Sequence, residues 1–121
     1  MQGESLTSLG DEQLAAAREA GSGRAAVTVF GGQAHDLRQT LIALVEGQAL
    51  GEHDSPGEAS LQVLRGRVRL HAGEESWEGS DGDYLVIPPT RHDLEAVTDA
   101  VVLLTVASRA GPAEAAGASP S

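Results

Sequence analysis

Four residues have side chains and neighbours from which a site could be built: His53, Ser55, Glu58 and His92. Two imidazoles in one cavity can polarise or protonate a bound anion near neutral pH, or ligate a metal ion. Ser55 stands before Pro56, where a hydroxyl commonly bonds its own turn. Glu58 reads as a loop or rim carboxylate. A Ser/His/acid set can be written from Ser55, His92 and Asp93, but it has neither a nucleophile elbow nor an oxyanion context. His35 and His71 have no motif around them and read as exposed strand-end residues. The chain has no Cys, so disulfides, thiolate metal sites and thiol catalysis are excluded.

Composition narrows the partners. The 121 residues suit one domain and carry a net charge of −10. All 8 basic residues are Arg, set against 18 Asp and Glu. So acidic a chain repels phosphate backbones, which argues against nucleic-acid binding. Arg without Lys, with much Ala and Gly, fits a high-GC bacterial genome. Phe30, Trp77 and Tyr84 are the three aromatic residues, so the core must be aliphatic and a base-stacking platform is disfavoured. No apolar run is long enough to span a bilayer and no export signal is visible. The expectation is a cytoplasmic protein that does not meet a membrane.

The elements that must position these residues are mostly strands. Ser5 to Ala20 predicts a short helix, with Leu6, Leu9, Leu14 and Ala17 near one face. Asp11 and Glu12 are expected in its first turn, Arg18 in its last, and Gly21 as its stop. Short strands are expected over Ala25–Phe30, Leu37–Val45, Leu61–Leu64, Arg67–Leu70, Tyr84–Ile87, Leu94–Val97 and Ala100–Ala107. Gly73, Gly79 and Gly82 read as turns around Trp77. Arg38 and Gln39 open a buried-looking strand, and one of them is expected at the barrel mouth. Arg65, Arg67 and Arg69 alternate with Gly66 and Val68, which predicts one shared, solvated face. If Ala59, Leu61 and Val63 face inward, Gln62 faces out. Eight or nine short strands without intervening helices predict a sandwich or barrel. The boundaries are a helix and linker at 1–23, a barrel at 24–109 and a disordered tail at 110–121.

Two stretches carry a family resemblance. Gly47–Gly66 reads GQALGEHDSPGEASLQVLRG and Gly82–His92 reads GDYLVIPPTRH. They resemble the two motifs of the cupin superfamily, G-x5-H-x-H-x3-4-E-x6-G and G-x5-P-x-G-x2-H-x3-N, over about a third of the chain. The whole chain also looks like small bacterial cupins of unassigned role. The resemblance implies an all-β, single-domain, cupin-type jelly-roll β-barrel with a short N-terminal helix. It also implies a homodimer.

The departures from the family pattern matter most. In metal-binding cupins two His and a carboxylate of the first motif converge with a His of the second. Here His53 stands at the first His position, Ser55 at the second and Ala59 at the Glu position. Glu58 is one residue away, which reverses side-chain direction along a strand. His92 is one residue early, Thr90 stands where the family has Gly, and Ala96 where it has Asn. Two imidazoles remain of four ligands, fewer than the three or more of a catalytic site. No cofactor is expected, beyond weak transition-metal binding at His53 and His92.

The first expectation is therefore a metal-degenerate, non-catalytic barrel. Its pocket, with His53, His92, Ser55 and Glu58, would bind a small organic ligand, or the barrel would act as a dimeric scaffold. The alternative is a metal-dependent cupin enzyme of oxygenase or isomerase type, using His53, His92 and Glu58. A third reading is a ligand-free regulatory or interaction protein. Fold alone does not separate them.

Overall fold

The computed structural model describes residues 1–54 and 57–107. Ser55 and the tail expected at 110–121 lie outside the described residues. Helix α1 spans Leu6–Glu19. The Ser5 hydroxyl accepts from the Ser8 N–H at 3.1 Å, so Ser5 is the cap and the helix starts one residue later than expected. Asp11 falls beyond the first turn and pairs with Arg65 instead. Arg18 sits in the last turn and pairs with Asp99 at 3.0 Å.

Eight strands follow: β1 (Arg24–Phe30), β2 (Leu37–Leu44), β3 (Glu58–Arg65), β4 (Arg67–Ala72), β5 (Glu75–Ser80), β6 (Tyr84–Val86), β7 (Asp93–Ala96) and β8 (Ala100–Ala107). They form two antiparallel sheets, of order β1-β2-β8-β3-β6 and β5-β4-β7. β8 matches the expected span, and β3 begins three residues before the expected Leu61. β5 is the strand missing from the sequence reading. Its glycine is a packing device: the Trp77 ring lies where a Cβ at Gly79 would stand.

One apolar cluster fills the space between the sheets. It includes Leu44, Ala59, Leu61, Val63, Val68, Leu70, Leu94 and Val102. The second lies on the outer side of the large sheet, where Leu14 and Ala17 of α1 meet Leu41, Ala43, Val101 and Leu103. β2 and β8 are therefore covered on both faces, which explains their unbroken apolar runs. Each fully buried Leu contributes about 2 kcal/mol. β4 is covered on one face, so Val68, Leu70 and Ala72 alternate with Arg67, Arg69 and His71. Gln62 is exposed, opposite in sense to its buried neighbours Leu61 and Val63.

The expected common face of Arg65, Arg67 and Arg69 does not form. The chain changes sheets at Gly66, whose φ is +86°. Arg65 stays with the large sheet beside α1, while Arg67 and Arg69 both bond Glu78 on the small sheet. Among the described residues no helix is long and apolar enough to cross a membrane.

Candidate functional site

The chain between β2 and β3 returns along β7 and widens the small sheet. The Gly47 N–H bonds the Ala96 carbonyl at 2.9 Å, and the Leu50 N–H bonds that of Leu94 at 3.0 Å. The ribbon ends where His53 and His92 face each other and exchange both backbone bonds, at 2.9 and 3.0 Å. Their opposition is thus fixed by the main chain. The ring centroids lie 4.4 Å apart at 68°, edge to face.

Both rings are oriented in the same way. His53 Nδ1 lies 3.0 Å from the Gly51 carbonyl, and His92 Nδ1 lies 2.9 Å from that of Thr90. A carbonyl only accepts, so each Nδ1 carries a proton, and the neutral form of either ring has its lone pair at Nε2. His92 is 4 % exposed and is the one buried polar or charged side chain among the described residues. Its Nε2 has no hydrogen-bond partner among the described residues. A buried polar atom without a partner costs about 1–3 kcal/mol, which a bound donor would relieve.

Arg91 clasps the pair from outside. Its Nε donates to Glu52 at 3.1 Å and its NH1 nitrogen to Asp54 at 3.2 Å, the residues on either side of His53. The Glu52 hydrogen bond, then that of Asp54, pushes the Arg91 pKa further up. Asp93 anchors the ribbon as well, accepting from the Gly51 N–H at 2.8 Å.

Glu58 is not brought to this pair. It lies on the outer side of β3, exposed, beside a groove of about 670 Å³ that Tyr84, Val86 and Ala107 also line. Ala59, at the family's carboxylate position, points inward and is buried. Among the described residues no three His, Asp or Glu side chains stand together to hold an ion. The described donor set is two imidazoles, which does not fit the family's chelating cage.

The register resolves the choice between Arg38 and Gln39. Gln39 donates to the Thr105 hydroxyl at 3.3 Å on the outer face. Arg38 is paired with Val106, whose side chain belongs to the interior cluster, so Arg38 rises from the inner face at the end of β2. That end also holds the start of β3 and the end of β6. Four residues separate His53 from the start of β3, and five separate the end of β6 from His92. Arg38 has no hydrogen bond or ion pair among the described residues. The sequence does not choose between Arg38 and Gln39 and does not mark Arg91, because only the strand pairing shows what each one faces. His71, expected at a strand end, lies within β4 and bonds Glu95 at 3.1 Å on the far side of the small sheet. His35 packs its ring 4.8 Å from that of Phe30.

This architecture recurs among solved structures. The chain is similar to a conserved protein of unknown function from Streptococcus pyogenes, at 28% identity and a TM-score of 0.66, over 74% of this chain and 78% of that one. It is similar to an RmlC-like cupin protein from Desulfovibrio desulfuricans, at 28% identity and a TM-score of 0.61, over 69% and 81% of the two chains. It also resembles a salicylate 1,2-dioxygenase from Pseudaminobacter salicylatoxidans, at 20% identity and a TM-score of 0.70, over 83% of this chain but 33% of the enzyme. No protein-family model matches the sequence. No curated protein matches it either. The protein has the cupin fold, an all-β jelly-roll with a short N-terminal helix. Within that fold it is a cupin-domain protein whose motif positions hold two described imidazoles and an alanine.

Proposed function

We propose that this protein is a non-catalytic cytoplasmic barrel that binds a small organic acid at the mouth marked by His53, His92 and Arg38. The observation that carries this reading is the His92 Nε2, buried and without a described partner beside a second imidazole held in the same tautomer. A carboxylic acid or acidic hydroxyl donates to such a nitrogen, and proton transfer leaves an imidazolium facing the anion. Arg38, unpaired among the described residues, adds the planar fork that carboxylates fit. The protein works as a homodimer, the form implied by the family resemblance.

The test is a thermal-shift and calorimetric screen of small carboxylic acids against their primary amides. At least one acid should raise the melting temperature by several degrees while its amide does not. Arg38→Gln and His92→Gln should each weaken that acid about tenfold or more. A screen in which no acid moves the transition, or in which amides bind equally well, overturns the reading.

A further inference from the structure

Four strands end the two sheets, β1 and β6 in the large one, β5 and β7 in the small one. Natural edge strands are guarded against further pairing by charges, bulges or a covering segment. β1 carries Arg24 and a bulge between Thr28 and Phe30. β5 carries Glu75 and Glu78. The ribbon from Gly47 to His53 covers β7. Among the described residues, β6 (Tyr84, Leu85 and Val86) has no charge, no bulge and no cover. Its main chain is free on the far side. The Val63 N–H bonds the Asp83 carbonyl at 2.8 Å, and the Ile87 N–H bonds that of Ala59 at 2.9 Å. Asp83, Leu85 and Ile87 therefore face β3. In an antiparallel ladder the residues between them turn their N–H and C=O groups the other way. Those residues are Tyr84 and Val86, and no described group bonds their main chain there. Their side chains are 62% and 66% exposed.

We propose that β6 takes up an extended, basic peptide segment of a partner protein as a further strand of the large sheet. The free N–H and C=O groups of Tyr84 and Val86 select an extended main chain, because a helix has satisfied its own. The exposed Tyr84 and Val86 side chains then pair with alternate apolar residues of the added strand. Charge selects the rest of its chemistry. From Gly73 to Thr90 the chain carries Glu74, Glu75, Glu78, Asp81 and Asp83 and no basic residue. Glu78 is paired with Arg67 and Arg69, and the other four meet no cation among the described residues. Asp81 and Asp83 stand just before β6 and accept only backbone N–H groups, those of Gly66 and Ser80. A Lys or Arg of the added strand meets these carboxylates, whereas an acidic segment is repelled. The interaction reaches beyond the His53 and His92 site and does not depend on it.

The test adds a short synthetic peptide of alternating Val and Lys, capped at both ends, to the full chain. In an amide NMR titration the largest shifts should fall at Tyr84 to Ile87, and hydrogen exchange at the Tyr84 and Val86 N–H groups should slow about tenfold at saturation. Methylating the peptide amides that face β6 keeps the charge and removes the donors, and should weaken binding about tenfold or more. The same peptide with Glu in place of Lys should not bind. Val86→Pro removes one free-edge donor without breaking a bond to β3, and Val86→Lys keeps the backbone but adds a repelling charge. Each should weaken the Val-Lys peptide about tenfold, and Val86→Lys carries the test if the proline variant does not fold. Equal binding of the methylated or the Glu peptide, shifts that map away from β6, or no binding at millimolar concentration overturns the proposal. If the peptide binds only once residues 108–121 are removed, the edge belongs to that segment and the proposal fails.

Discussion

The Asp99 carboxylate joins three parts of the molecule. Oδ1 accepts from the Glu46 N–H at 2.8 Å after β2, and Oδ2 accepts from Arg18 of α1 at 3.0 Å. The backbone hydrogen bond, then the Arg18 guanidinium, holds its pKa below the ordinary aspartate value. A lowered folded-state pKa means that the stabilisation is fully present above the unfolded value of about 4. It is lost as pH falls through the folded value. Asp99→Asn should cost about 1 kcal/mol at pH 7, a drop of about 5 °C in melting temperature. The gap to the unmodified protein should narrow below about pH 4. Thermal denaturation at pH 7 and pH 3 checks this, and an unchanged gap would refute the linkage. The other ion pairs, such as Arg67 with Glu78, are exposed and contribute little each.

The corner at Gly66 sets the geometry between β3 and β4. Its φ is +86°, and a Cβ there would overlap the Asp99 carbonyl oxygen and stand 2.9 Å from the Ala100 Cα. Gly47 has a φ of +87° with open space around it. The pair separates two costs. Gly47→Ala should lose about 1 kcal/mol from backbone conformation alone. Gly66→Ala should lose about 2–4 kcal/mol, because the backbone must also move. Urea denaturation of both variants measures the difference, and equal losses would show that the close approach is relieved cheaply. Gly10 is a third case, where the helix nears the sheet and a Cβ would stand 3.3 Å from Val101. Gly10→Leu should lift α1 and cost about 2 kcal/mol.

These elements also show what patterning conveys. β8 is apolar on both faces and β4 alternates, so both are visible as strings of letters. β5 carries Glu75, Ser76, Glu78 and Ser80 around one ring, and its apolar face is Trp77 lying over Gly79. No periodicity conveys that arrangement. His53 and His92 could be found because motif spacing marks them. Their orientation by the Gly51 and Thr90 carbonyls, the Arg91 clasp and the inward path of Arg38 are properties of strand pairing. Pairing is non-local, so single-residue patterns do not contain it. The shared face of the three arginines fails for the same reason: alternation assumes one continuous strand, and Gly66 ends it.

At the scale of the molecule, most pairing joins distant parts of the chain: β8 meets β2 and β3, and β4 meets β7. Such topologies fold in milliseconds to seconds rather than microseconds. Refolding followed by the fluorescence of Trp77, the sole Trp, should be a single slow phase in that range. A microsecond phase of full amplitude would contradict the topology. The order of the large sheet has one more effect. β8 is the last of the described strands to be made, yet it lies at the centre, between β2 and β3. During translation, the earlier strands wait as two unjoined halves until this keystone leaves the ribosome. The nascent barrel therefore closes only once β8 has emerged, and a ribosome stalled before β8 is made would hold a chain that proteases and chaperones treat as unfolded.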